Sequence, residues 1–273
     1  MSRYLRDTTL GLIAGNGRFP FLLAEEARRQ GRPVVAAAIE GETDPALAER
    51  VDRLEWFKLG QIKRTIQFFK DAGATDAVMA GQVKHASIFD LRHLDAAAVK
   101  ILATLPDKKT NTILRAVADL FAREGIRFMS SVAYLGDALA PAGAITKARP
   151  TGDQKRDIAF GFKTAKAIAG LDLGQTVCVK DQAVLAVEAI EGTDACIRRA
   201  GEHQAGAVVV KVAKPRQDLR FDVPVVGRRT LESLVAAKAA VLAVEAGKTL
   251  FFDRDEFVQG ADAAGLVVVG VAE

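Results

Sequence analysis

The stretch from Leu10 to Pro20 limits the possible folds most sharply. Leu10 to Ala14 is a short apolar run, Gly15-Asn16-Gly17 is a loop, and Phe21, Leu22, Leu23 and Ala27 take helical spacing behind Pro20. Strand, glycine loop and helix in that order open a Rossmann-like unit. The glycines let the backbone turn tightly and approach an anion, and the helix N-terminus presents amide groups to a phosphate. Pro20 stands where a dinucleotide fingerprint would have its third glycine, and proline suits a first helical position. A second apolar run, Pro33 to Ile39, ends in Glu40, roughly where an acidic ribose ligand lies in such folds. Gly15, Asn16 and Gly17 are therefore candidate phosphate or nucleotide contacts. The competing reading is a tight strand-to-helix turn with no ligand.

The alternation continues. Leu54 to Lys58 and Asp76 to Ala80 read as strands, and Gln61 to Ala72 reads as a helix with Ile62, Ile66 and Phe69 on one face. The second of these strands runs into Gly81-Gln82-Val83-Lys84-His85, a loop at the usual ligand edge of an open α/β sheet. Gly81, Gln82 and Lys84 join the binding candidates there, while His85 reads as a surface residue. Helices over 91–105 and 112–124 and a strand over 126–131 complete the first half.

Gly136 to Pro150 lacks periodicity and reads as a linker. A helix begins at Arg149-Pro150-Thr151, with Thr151 or Asp153 as its cap. Two apolar runs joined by Lys180-Asp181-Gln182 predict a hairpin. A strand over 206–212, a helix over 231–245, a strand over 248–252, a helix over 255–264 capped at Asp253 and a strand over 266–269 follow. The fold class is α/β. An N-terminal Rossmann-like domain with a parallel sheet spans 1–135, a linker spans 136–150, and a C-terminal α/β domain with a mixed sheet spans 151–273.

With 273 residues the chain is long for one compact domain and comfortable for two. The net charge is +4, and basic and acidic residues are interleaved, so no block reads as a nucleic-acid arm. The two cysteines have no metal spacing and read as reduced, buried thiols. Three histidines argue against a histidine-built zinc site, so a catalytic metal would be oxygen-ligated, Mg²⁺ or Mn²⁺. No apolar signal region and no run of about 18 apolar residues occurs, which predicts a cytoplasmic protein.

The second half holds the acidic chemistry. Lys214 to Gly227 sets Asp218 and Asp222 among Lys214, Arg216, Arg220, Arg228 and Arg229. Pro215 and Pro224 bracket this stretch and favour extended backbone before them. Upstream, Glu191 follows an apolar run and is a metal or sugar-hydroxyl candidate. Lys147, Arg149 and Lys155 cluster at a helix start, which favours a phosphate, although ordinary capping explains them as well.

Taken together, Gly15-Asn16-Gly17-x-x-Pro20, Ala80-Gly81-Gln82-Val83, Arg149-Pro150-Thr151, Val187 to Asp194 and Asp218-x-x-x-Asp222-x-Pro224-x-x-Gly227 form an ordered set. Their order and spacing resemble the UDP-2,3-diacylglucosamine pyrophosphatase family of lipid A biosynthesis, the two-domain type distinct from the metallophosphoesterases. The resemblance covers the chain from about Thr9. It implies metal-dependent hydrolysis of the diphosphate of UDP-2,3-diacylglucosamine to 2,3-diacylglucosamine 1-phosphate (lipid X) and UMP. The family's essential aspartate maps onto Asp222, with Asp218 as the alternative. The implied substrate contacts are Gly15, Asn16, Gly17, Gly81, Gln82, Lys84, Arg149, Thr151, Arg216 and Arg220. Asp222, Asp218 and Glu191 are the candidate ligands of Mg²⁺ or Mn²⁺. The expected partner is the lipid-linked sugar nucleotide, with no nucleic acid. Peripheral contact with the inner membrane surface and a homodimer are further expectations. Two rival readings remain at this point, a nicotinamide oxidoreductase built on the glycine loop and Glu40, and a non-catalytic sugar-nucleotide or lipid-binding module.

Overall fold

The computed structural model describes residues 8–83, 94–107, 110–215 and 217–272. These form two compact units. The first is the chain up to Leu135 together with Asp218–Asp222, and the second is Gly136–Gln217 with Val223 onward. The five residues Asp218–Asp222 lie late in the sequence yet pack with the first unit.

The first unit is built on five strands, β1 (Thr9–Ala14), β2 (Val34–Ile39), β3 (Arg53–Phe57), β4 (Ala74–Ala80) and β5 (Arg127–Phe128). All are parallel, in the order β3-β2-β1-β4-β5. β2, Val-Val-Ala-Ala-Ala-Ile, is buried throughout, as a central strand covered on both faces must be. Residues of β1 alternate between two cores. Leu10, Leu12 and Ala14 meet Leu23, Ala24 and Ala27 of α1 (Phe19–Arg29). On the opposite face Phe57, Ile66, Phe69, Phe121 and Phe128 pack together, with α2 (Ile62–Asp71) and α4 (Thr110–Arg123) supplying rings. A further helix, α3 (Ala96–Thr104), begins at Asp95, whose carboxylate accepts from the Ala97 and Ala98 amides. The predicted strand over 126–131 shrinks to β5: the Met129 amide still reaches the Ala77 carbonyl of β4, but the Ser131 amide bonds to the Leu219 carbonyl instead.

The second unit contains β6 (Gly143–Ala144), α5 (Gly152–Gly170), β7 (Thr176–Lys180), β8 (Ala183–Val187), α6 (Thr193–His203), β9 (Val208–Lys211), β10 (Val225–Val226), α7 (Arg228–Ala236), β11 (Val241–Glu245), β12 (Leu250–Phe251), α8 (Arg254–Ala263) and β13 (Val267–Val271). Its main sheet has the order β6-β13-β11-β9-β7-β8. β9, β11 and β13 are parallel, and β6, β7 and β8 pair antiparallel, so the sheet is mixed as the sequence predicts. β7 and β8 form the predicted hairpin. Asp181 and Gln182 at its tip have φ of 52° and 59°, the left-handed pair of a type I′ turn. No glycine is present there. Instead Asp157 of α5 accepts from both turn amides, at 3.0 and 2.6 Å.

One predicted element divides. The alanine-rich run 231–245 reads as a single helix, but α7 ends at Ala236 and β11 begins at Val241. Lys238 takes a left-handed φ of 51°, and the Val-Leu-Ala-Val run is buried between β9 and β13. Helix propensity is a weak prior, and burial in the sheet outweighs it. The α8 helix starts beside Asp253 as predicted, but the Asp253 side chain does not cap it, while Phe257 is buried against Phe251. Cys178 and Cys196 are both buried thiols without a disulfide.

Buried charge braces the first unit. Arg32, 2% exposed, donates to the Thr8 carbonyl at 2.9 Å, to Asp76 at 2.7 Å and to the Tyr134 hydroxyl. Asp76 also receives Arg127 at 3.0 Å. Removing one partner of a buried ion pair leaves the other uncompensated. Arg32→Met is therefore expected to destabilise the first unit by about 3 kcal/mol, read as a lower urea midpoint for its unfolding transition.

Candidate active site

In the sheet order β3-β2-β1-β4-β5 the chain winds outward from β1 in one direction and then returns to place β4 on β1's other side. The reversal lies between β1 and β4, and ligands of open α/β sheets bind beyond the strand carboxyl ends at such a point. Both glycine loops predicted as binding elements emerge there. They are stitched to each other. The Asn16 amide donates to the Gln82 carbonyl at 2.7 Å, the Gln82 amide donates back to the Asn16 carbonyl at 3.1 Å, and the Gly15 amide donates to the Ala80 carbonyl at 2.8 Å. A Cβ on Gly15 would lie 2.5 Å from the Gln82 carbonyl oxygen, and one on Gly81, whose φ is +94°, would lie 2.6 Å from that of Asn16. These two glycines thus serve the close approach of one loop to the other. Gly17, at φ +93°, is different, because nothing lies within 4 Å of the Cβ it lacks. The position at Gly17 is therefore open, while the Asn16 and Gln82 amides are spent on the loop pair. From the β2 side, Thr43 donates its hydroxyl to the Ala14 carbonyl at 2.6 Å, so the end of β1 is braced on both flanks.

The turn Asp218–Asp222 docks on the same sheet edge. Ser131 receives it: its amide donates to the Leu219 carbonyl at 2.8 Å, and its hydroxyl sits 2.7 Å from the Met79 carbonyl of β4 and 2.8 Å from that of Arg220. Phe221 packs on the aromatic core beside Phe128, with ring centroids 6.5 Å apart. Within the turn the Phe221 and Asp222 amides both donate to the Asp218 carbonyl, at 3.0 and 3.1 Å.

Asp218 is held as an anion. Arg220 grips both of its carboxylate oxygens, Nε at 2.9 Å and the terminal nitrogen at 2.7 Å, and the Arg220 amide adds a third contact at 3.2 Å. Arg115 on α4 stands 3.9 Å away. The Arg220 hydrogen bonds, foremost, hold the Asp218 carboxyl below the usual carboxylate range, and the same contact raises Arg220 above its ordinary value. Asp119, one helical turn from Arg115, adds to the pull on Arg220. Arg115, 62% exposed, is a cation beside the acidic turn; neither it nor the anchor Ser131 is marked by the sequence. Both are far from 218–222 in the chain, and no local motif marks them.

The remaining predicted residues have other surroundings. Lys84 and Arg216 lie outside the described residues. Arg149, Thr151 and Glu191 belong to the second unit. Arg149 folds its guanidinium back on the carbonyls of Thr146, Lys147 and Ala148. Thr151 is the N-cap of α5, in a reciprocal capping box with Gln154. Glu191 pairs with Arg199 at 2.5 Å, and its own backbone amide first, then Arg199, hold its carboxyl below the usual range. Among the described residues no three histidine, cysteine, aspartate or glutamate side chains cluster as metal ligands. The carboxylates at the turn that could hold a cation are Asp218 and Asp222, and Mg²⁺ is usually bound through one or two carboxylates and substrate phosphates.

Sequence comparison decides the family. The profile of the LpxI N-terminal domain matches residues 9–138 and that of the LpxI C-terminal domain matches residues 141–269. The chain belongs to the LpxI family. Within it, the UDP-2,3-diacylglucosamine pyrophosphatase LpxI of Caulobacter vibrioides is 32% identical over 275 residues, covering 96% of this chain and 97% of that one. The resemblance carried by the ordered motifs is borne out. A solved structure, N5-carboxyaminoimidazole ribonucleotide synthetase from Thermotoga maritima, is 14% identical, covers 67% of this chain and 42% of that chain, and aligns with a TM-score of 0.25, too slight a likeness to build on.

The Asp218–Arg220 fork gives the LpxI turn an acid dependence. A carboxyl depressed in the folded state contributes stability in full above its unfolded value of about 3.9 and loses it as pH falls through the lower folded value. Asp218→Asn is expected to unfold at lower denaturant than the native protein at neutral pH. The gap should close as the pH is taken below about 4, measured by denaturant titration at a series of pH values.

Proposed function

We propose that this LpxI family member hydrolyses the diphosphate of UDP-2,3-diacylglucosamine, releasing UMP and 2,3-diacylglucosamine 1-phosphate. The observation that carries the reading is the match of both LpxI domains along almost the whole chain, with a relative of that named activity at 32% identity. The geometry of the first unit supports it. An acidic turn and an exposed arginine share the carboxyl edge of a parallel sheet with an open glycine loop.

The two carboxylates take different parts in this proposal. Asp222 is the catalytic residue. It orients or deprotonates the attacking water, which adds to phosphorus as the bridging oxygen leaves. Asp218 is a positioning residue. Its oxygens are occupied by Arg220, and a carboxyl held that acidic is a poor base. The carbonyl of Asp218 closes the turn that presents Asp222. Arg115 meets the negative charge that builds on the phosphoryl oxygens, which is where fixed cations accelerate such reactions most. Gly17 leaves room for the nucleotide phosphate at the start of α1. Mg²⁺ or Mn²⁺, bound through Asp222 and substrate oxygens, would supply further neutralisation of the diphosphate. Glu191, engaged with Arg199, is left outside this proposal as a ligand.

Asp222→Ala is expected to lower kcat by about 100-fold or more, with substrate binding and circular dichroism close to native. Near-normal kcat in that variant would remove Asp222 from the mechanism. Release of UMP from purified protein and substrate, followed by chromatography, tests the function itself. In the same assay, excess chelator should abolish turnover and added Mg²⁺ or Mn²⁺ should restore it, and full activity in chelator would exclude the metal.

A further inference from the structure

Three large apolar side chains of the second unit stand in solvent on two adjoining loops. Leu171 and Leu173, 68% and 56% exposed, lie where α5 ends, and Ile190, fully exposed, lies between β8 and α6. The loops are locked together. A Cβ on Gly174 would lie 2.0 Å from the Glu188 carbonyl oxygen, so only glycine permits this approach. The Glu188 amide donates to the Thr176 carbonyl at 2.9 Å, and the Gln175 amide donates to the Glu188 carboxylate at 3.3 Å. Asp172, at a left-handed φ of 59°, turns the chain so that Leu171 and Leu173 fall on either side of it. Side chains this exposed project from tips and line no groove, so they do not form a cleft for a peptide or a helix. Two ion pairs flank them: Lys214 meets Asp172 at 2.5 Å and Arg199 meets Glu191 at 2.5 Å.

We infer that Leu171, Leu173 and Ile190 form a docking tip that inserts into the headgroup region of a lipid bilayer. The inference rests on the proposed substrate, which carries two acyl chains and is therefore drawn from a membrane. Shallow burial of apolar side chains with polar groups at the water boundary is how proteins without a spanning segment hold a bilayer, and no described helix is long and apolar enough to span one. Because the flanking charges are paired, attachment here is carried by apolar insertion rather than by attraction to anionic lipid.

The test uses the full chain and sedimentation with vesicles of phosphatidylethanolamine and phosphatidylglycerol. The native protein is expected to pellet with the vesicles, with little release by added salt. The triple variant Leu171→Gln, Leu173→Gln, Ile190→Gln should partition about tenfold less. Turnover of detergent-dispersed substrate should be the same in both proteins, while turnover of vesicle-borne substrate falls in the variant. Native protein that stays in the supernatant overturns the proposal, as does a variant that pellets equally well. So does a native dimer that the variant loses in sedimentation equilibrium, because a second copy would then cover the tip. Absence of turnover on dispersed substrate with vesicle binding intact would remove the proposed function and leave the docking tip standing.

Discussion

Ser131 decides where the acidic turn sits. Its amide and hydroxyl engage the carbonyls of Leu219 and Arg220, and the same hydroxyl reaches Met79 at the end of β4. Fixing a residue's backbone costs about 1–2 kcal/mol, whereas a hydrogen bond returns only about 1 kcal/mol net. One bond therefore cannot order the segment from Asp218 to Asp222. Three devices act together: the Ser131 bonds, the Phe221 ring on the aromatic core, and the fork between Asp218 and Arg220. The chain crosses between its two units three times, after Leu135, after Gln217 and after Asp222. The middle excursion exists to deliver this turn to the carboxyl edge of the first sheet.

The glycine loops at that edge show how one residue type can answer two demands. Glycine after a strand predicts anion contact, because a backbone without Cβ can approach a phosphate. Gly15 and Gly81 use the same permission to approach each other's loop, and the reciprocal bonds between Asn16 and Gln82 consume amides that a phosphate would otherwise need. Gly17 alone faces open space. The loop pair closes on itself, and the open position lies at Gly17, beside the start of α1. Of the two glycines in the Gly15-Asn16-Gly17 loop, Gly15 is thus occupied in holding the protein to itself, and Gly17 is not.

Much of the architecture was legible because it follows from periodicity and turn chemistry. The parallel sheet, the β7–β8 hairpin and the Thr151 cap all rest on local signals. The hairpin is instructive, since Asp181 and Gln182 adopt left-handed backbone without glycine, and Asp157 binds both of their amides. The alanine-rich run 231–245 was not legible as helix plus strand. Its composition favours a helix throughout, and the neighbours that convert Val241–Glu245 into β11 come from β9 and β13. The site divided in the same way. Asp218, Asp222 and the glycines stand in recognisable strings, whereas Ser131 and Arg115 become relevant only once the turn docks beside them. Arg149, whose charge at a helix start favours a phosphate, folds back on the carbonyls of Thr146, Lys147 and Ala148, while Thr151, a substrate contact only by family resemblance, caps α5 as its position predicts.

The proposed choice between two aspartates four residues apart turns on the charge state that the contacts of Asp218 favour. A carboxylate has about four lone-pair sites on its two oxygens, and a base or a metal ligand must direct one of them at its target. Asp218 directs both oxygens at Arg220, receives a third bond from the Arg220 amide, and faces Arg115 beyond. Every one of these contacts favours its charged form, which is the opposite of what proton abstraction requires. The pair Asp218–Arg220 is close to neutral as a unit, so it holds the turn without repelling an anionic substrate. In the proposed mode of binding, a diphosphate at this edge would meet Arg115, an exposed cation beside the turn, and Asp222 at the turn's end. The bidentate fork is thus better understood as the splint of the site than as its chemistry. An exchange of roles between the two aspartates would require the fork to break first.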